Sequence, residues 1–274
     1  MNIRPIAWML ITAGALSGAS PVENAWKVIT SATSSNSTVK RKQAVSALEI
    51  AGRDRRAVSI VEAALSDKEV EVRVAAVAVL CAVKSRSSMP KLRATLDDPA
   101  PEVSFAAARA LWDLGDQTGR DILVAVALGD RASSSGLIRE QMRDAVKTLH
   151  NPAALAVIGM KEGAGAFLGP FGMGILVIEE LRKDGSAAAR TLSVAALAHG
   201  TDPKTLDVLI DALSDKNWVV RAAAVKALAT RGNAAMISKL EPSLHDKQEA
   251  VRYMAAAAII RLSAVKMPRV AVKR

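Results

Sequence analysis

The chain holds one cysteine, Cys81. That excludes an internal disulfide and any zinc site built on cysteine pairs. Cys81 stands in the run Val79-Leu80-Cys81-Ala82-Val83 and reads as a small buried hydrophobe. Aromatic residues make up only 3% of the sequence, so alanine, valine and leucine carry the apolar content. Such a composition favours closely packed helices over a sheet sandwich. Histidine is sparse too. His150, His199 and His245 fall in three different repeats, and none has the His-Glu or His-x-x-x-His spacing of a metal site. No glycine loop ends in Gly-Lys-Ser or Gly-Lys-Thr, so a phosphate cradle is not indicated. No Ser, His and Asp grouping can be nominated. The expectation is a chain that is not an enzyme and carries no metal or cofactor.

What the sequence does have is length, apolar content and positive charge. Half of the 274 residues are hydrophobic, ample for a large core, and the formal charge is +10. A basic excess directs attention to acidic partners, nucleic acid or anionic surfaces, and says nothing about fold.

The stretch Asp215–Gly232 organises the chain. Arg221 follows Asp215 by six residues, and the same gap separates Asp67 from Arg73, Asp184 from Arg190, and Asp246 from Arg252. Arg190, Arg221 and Arg252 are spaced by 31, and a fixed period of that size marks a repeat array. Each repeat reads as a first helix ending in leucine, a turn, and a second helix around the arginine. The first-helix ends are Leu65, Leu96, Leu128, Leu181, Leu213 and Leu244, and the turn residues include Asp98 and Asp130. The arginine position is filled by Arg41, Arg73, Ser104, Arg139, Arg190, Arg221 and Arg252, giving seven repeats. Further on, Leu48, Leu80, Leu111, Val146, Leu197, Leu228 and Ile259 hold an aliphatic position on one helical face.

Each part of this spelling has a physical reason. The aspartate is expected to accept hydrogen bonds from the first amides of the second helix. The arginine is placed to reach the aspartate of its own or the neighbouring repeat, forming a ladder. Alanine clusters at 75–76, 106–108, 222–224 and 255–258 keep the second helices thin, so repeats approach closely. Gly52, Gly115, Gly200 and Gly232 are expected to end those helices in the left-handed conformation.

These residues resemble HEAT repeats, specifically the short 31-residue kind related to phycobiliprotein-lyase repeats, over roughly residues 25–264. The resemblance implies an all-α fold, an α-solenoid wound as a right-handed superhelix of about seven HEAT-like helix pairs. It also implies a structural ladder through Asp67, Arg73, Asp184, Arg190, Asp215, Arg221, Asp246 and Arg252. The pattern breaks at Ser104, at the wider spacing of Asp130 and Arg139, and at Ser34 and Ser35, which stand where the first aspartate would be. The deoxyhypusine hydroxylases, an enzyme group with related repeats, carry His-Glu pairs for iron, and those pairs are absent here.

Three segments stand outside the array. Residues 1–19 read as a signal peptide: Arg4, an uncharged apolar run, then small residues with cleavage after Ala19. The mature chain is then expected to be periplasmic or secreted; the alternative is a cytoplasmic protein whose first residues form a capping helix. Residues 20–265 form the solenoid, interrupted by a glycine-rich insertion at 151–174 that carries Phe167, Phe171 and Met173. Those three are candidates for a partner-binding loop, or for a fold-back that buries its own phenylalanines. The insertion is too short and glycine-broken for a membrane span. Residues 266–274 form a basic tail.

The expected function is a protein–protein interaction scaffold for a protein partner, presented outside the cytoplasm, with no reaction of its own. The alternative is polyanion or nucleic-acid binding through Lys40, Lys42, Arg53, Arg55 and Arg56, disfavoured by interspersed acids and scarce aromatics. An accessory lyase is a weaker third.

Overall fold

The structure, a computed structural model, describes residues 19–128, 184–200 and 202–265. Among them are twelve α-helices and no strand. In chain order they are α1 (Pro21–Thr33), α2 (Thr38–Ala51), α3 (Arg55–Ala64), α4 (Val70–Ala82), α5 (Met89–Ala94), α6 (Pro101–Asp113) and α7 (Arg120–Leu128). After the undescribed stretch come α8 (Gly185–Leu197), α9 (Pro203–Asp211), α10 (Trp218–Arg231), α11 (Ile237–Leu240) and α12 (Glu249–Ser263). Short 3-10 turns finish several first helices, at Thr95–Asp97, Ala212–Ser214 and Glu241–His245.

The helices form where the apolar period and the caps agree. Helix α1 begins on a complete capping box: the Ser20 hydroxyl accepts from the Glu23 N–H, and the Glu23 carboxylate accepts from the Ser20 N–H. Asp202 and Asn217 cap α9 and α10 with their own side-chain oxygens, which accept from the first amides of each helix. The aliphatic position of the second helices is core in α2, α4, α6, α10 and α12, where Leu48, Leu80, Leu111, Leu228 and Ile259 are buried, and half-buried in α8 at Leu197. The alanine clusters behave as their size suggests. Ala107, Ala108, Ala222 to Ala224 and Ala255 to Ala258 are buried in helix–helix contacts. The approach is closest at Gly119, where a Cβ would lie 2.6 Å from the Ala108 Cα.

Second helices stack side by side, but not in chain order alone. Helix α2 packs on α4 and α4 on α6; α8 packs on α10 and α10 on α12. Helix α12 then packs on both α1 and α2. The last repeat therefore sits against the first, and the continuous stack runs α8, α10, α12, α2, α4, α6. An array read in chain order puts α1 and α2 at an end; here they are interior. Burial shows this directly. Ala250 and Ala255 to Ile260 are all buried, so α12 has almost no solvent face.

Two local expectations need correcting. The turn aspartate does not cap the second helix. The N-caps are Glu69, Ala100, Asn217 and Gln248, and each has its N–H bound by the Oδ1 of the aspartate two residues earlier. That turn reverses the chain and fixes the carboxylate where a ladder arginine can grip it. Asp184 alone follows the simpler form, as N-cap of α8. The second correction concerns glycine. Gly52, Gly115 and Gly232 take positive φ after their helices, but Gly200 does not, and Lys84 takes φ 53° in the equivalent place after α4.

Candidate functional site

The ladder is built between neighbours in the stack. The Arg41 guanidinium donates to both carboxylate oxygens of Asp67, at 2.7 and 2.9 Å. Arg73 grips Asp98 at 2.8 Å twice, and Arg221 grips Asp246 at 2.7 Å twice. Arg190 reaches Asp215 and also its own Asp184. The sequence gap of six serves a different contact. The remaining nitrogen of Arg73 donates to the Asp67 backbone carbonyl, Arg221 does so to Asp215, and Arg252 to Asp246. One guanidinium thus binds its own turn through the backbone and the next turn through the carboxylate. Only a planar five-donor fork can do both.

Electrostatics follow from this geometry. Burial would push the Asp246 carboxyl up, but hydrogen bonds from Arg221 and the Gln248 N–H outweigh it and hold it below the usual range. Asp67 and Asp215 are lowered against burial in the same way, by Arg41 and Arg190 with the N–H groups of Glu69 and Asn217. The ladder breaks where expected at Ser104, whose hydroxyl donates to the Leu96 carbonyl instead. It breaks also after Arg252, because the next repeat in the stack is the first, with serines in place of aspartate. The resemblance did not extend the ladder to Arg41 and Asp98; the arginine and turn positions were both legible, and the pairing distance of 25 to 26 residues was the missing piece.

Several second-helix residues lie outside the fully buried core: Gln43 and Glu49 of α2, Cys81 of α4, Arg109, Trp112 and Asp113 of α6, and Lys226 of α10. Lys226 Nζ lies 3.9 Å from Glu49 Oε1, an ion pair that joins α10 to α2, the two second helices that flank α12. Burial pushes the Glu49 carboxyl up, with Lys226 opposing. Cys81 is half-buried rather than buried. Its Sγ is 3.9 Å from an Asp113 oxygen, and burial followed by that carboxylate raises its thiol pKa. Trp112 is 49% exposed, with Arg109 and Asp113 exposed beside it.

The five cations singled out in the sequence do not form one patch. Lys40 pairs with Glu249 and Lys42 with Glu71, both at 3.0 Å, and Arg56 lies 4.2 Å over the Trp26 ring. Arg53 and Arg55 open onto a cleft between the first two repeats. His199 and His245 lie on different repeats, and among the described residues no group of three or more histidine, cysteine, aspartate or glutamate side chains is placed to hold a metal. Phe167, Phe171, Met173, Asp130, Arg139 and His150 lie outside the described residues, as do residues 1–18 and 266–274.

No curated protein sequence matches the chain. Among solved structures, human deoxyhypusine hydroxylase in complex with glycerol is similar, at 17% identity, covering 89% of this chain and 97% of that one, with a TM-score of 0.33. The expectation of a chain that is not an enzyme is corrected by this finding, because the similar structure is itself an enzyme. At that TM-score the likeness assigns no reaction. The model of the HEAT repeats family matches residues 57–135 and 176–260, more than half of the sequence. The match reaches the HEAT repeat and not the lyase-related subtype. With its helix pairs and its inter-repeat arginine–aspartate ladder, the chain belongs to the HEAT-repeat family.

Proposed function

We propose that the chain is a HEAT-repeat scaffold that binds a protein partner in the periplasm or outside the cell, docking it on the exposed side of α6. The observation that carries this reading is Trp112, half exposed on a helix whose opposite side is core, with Arg109 and Asp113 beside it. Tryptophan and arginine supply most binding energy at protein interfaces, and a neighbouring carboxylate supplies orientation. The insertion carrying Phe167, Phe171 and Met173 would add to that surface.

Export is supported by the way α1 begins. Its capping box is complete from Ser20 onward, so cleavage after Ala19 removes nothing the cap requires. The freed amine of Ser20 would turn its 2.8 Å hydrogen bond to Glu23 into a charge-assisted one.

The test is capture of a partner from the cell envelope by immobilised protein across a range of salt, with Trp112→Ala alongside. The variant should keep its thermal midpoint and lose capture, and wild-type capture should persist at high salt. Undiminished capture by Trp112→Ala would remove α6 as the docking surface. N-terminal sequencing of the recovered protein addresses export: Ser20 at the start supports it, and an intact Met1 contradicts it.

A further inference from the structure

The cleft between the first and second repeats has a volume of about 660 Å³ and is lined by Arg53, Arg55, Lys84 and Arg86. They come from two turns, α2–α3 and α4–α5, which the stacking of α2 on α4 brings together. In the neighbouring second helices Arg41, Arg73, Arg190, Arg221, Lys40 and Lys42 are each paired with a carboxylate. Arg55, Lys84 and Arg86 form no ion pair among the described residues. Arg53 is held by its Nε, which donates to the Val83 carbonyl at 3.0 Å, and it too has no carboxylate partner.

The one acid lining the cleft is already used. Glu62 accepts from Lys91 Nζ at 2.7 Å and from the Ser88 hydroxyl at 2.6 Å. Ser88 therefore spends its proton on Glu62, and Ser85, 2.8 Å from Ser88, donates in turn to Ser88. The floor of the cleft is a satisfied hydrogen-bond chain, and the positive charge above it is left without a counter-ion.

A second observation is independent of charge. Lys84 has φ 53°, where the neighbouring repeats place Gly52, Gly115 and Gly232 at φ 69°, 86° and 68°. A side chain in that conformation is disfavoured. This repeat accepts the strain and gains a cation at the mouth of the cleft, the kind of backbone outlier that gathers at ligand sites.

We propose that this cleft binds a compact, multiply charged phosphate oxyanion. Four cations converging from two turns suit several phosphate oxygens at once, and the arginine fork pairs with phosphate in two-point fashion. The cleft has no aromatic side chain for a base to stack on, which separates it from a single-strand binding groove. The site lies outside the α6 surface and stands independently of the scaffold reading.

The experiment is calorimetry of the full chain with tripolyphosphate at low salt. Saturable one-to-one binding is expected, weakening steeply as salt rises. Removing two charged donors in Arg55→Ala/Arg86→Ala should weaken it at least about tenfold. Both residues are exposed, so the thermal midpoint should not move. Lys84→Gly separates charge from folding: affinity should drop severalfold while the midpoint holds or rises, because glycine accepts the positive φ. Orthophosphate and a vesicle bearing phosphorylated inositol headgroups identify the source, with binding of either lost in the same variants. No binding at millimolar tripolyphosphate would overturn the proposal. So would equal affinity in the double variant, or a single-stranded DNA oligomer that binds tightly and equally well to it.

Discussion

The contact between α2 and α4 and the contact between α12 and α2 join the same kinds of helix by different means. At the first, alanine packing is backed by the Arg41–Asp67 rung, whose side chains are 8% and 13% exposed. At the second there is no rung. Arg252 keeps its bond to the Asp246 carbonyl but finds only Glu249, on its own helix, for a carboxylate. Across that junction run the half-exposed Lys40–Glu249 pair and the 3.5 Å contact of Arg261 with the Ile50 carbonyl. What replaces the rung is burial: α12 is enclosed by α1, α2 and α10, and its alanines let them close around it. The ladder therefore sets the register between chain neighbours, and at the α12–α2 junction apolar packing, with those polar contacts at its edge, takes the place of a rung.

The comparison can be broken at its packing first. Ile259→Ala opens a cavity at the centre of the closed stack and should destabilise by about 4 kcal/mol, read by denaturant unfolding. Arg221→Ala comes next. It leaves the Asp246 carboxylate buried without its partner and should cost about 3 kcal/mol. Arg252→Ala removes the same residue type where no rung exists, and about 1 kcal/mol is expected. Equal losses in those two variants would show that the own-turn bond, not the rung, carries the stability. Lys40→Ala removes an ion pair exposed on both sides and should change stability by less than about 1 kcal/mol.

Acid sharpens the same contrast. Asp67, Asp215 and Asp246 are held below their ordinary value, near 3.8, in the folded chain. The unfolded chain takes up those protons first as pH falls, so rung stability is intact above about pH 4 and disappears as pH drops through the folded values. Glu49 runs the other way. Its carboxyl is raised, so its burden on the fold is present at neutral pH and lifts as pH falls toward its ordinary 4.5. The thermal midpoint of wild type should fall more between neutral pH and about pH 3 than that of Arg221→Ala, which has one rung fewer to lose.

Much of this was legible in the sequence. The period of 31, the aliphatic positions and the alanine clusters specified helix pairs, and the described helices follow them. The ladder residues were legible as types, with the arginine free to reach its own or the neighbouring aspartate. The gap of six places it over its own aspartate's carbonyl in three repeats and over the carboxylate at Arg190, and which contact each repeat makes was not legible. Closure of the stack was not legible. Repeat spelling is the same whether a helix meets its neighbour in chain or only in space, and the one signal lay in Ser34 and Ser35 standing where the first repeat's aspartate would be. Lys84 was hidden for a related reason: nothing in its identity says that it holds a glycine's conformation.

The central claim is that the last repeat stacks on the first. Lys40 Nζ and Glu249 Oε1 are 3.0 Å apart, close enough for a zero-length carbodiimide to join them as an amide. Lys42 and Glu71, also 3.0 Å apart within the regular stack, serve as the internal control. Mass spectrometry of digested monomer should find both cross-linked peptides. A strong Lys42–Glu71 product with no Lys40–Glu249 product would contradict the closure and return the chain to an open array.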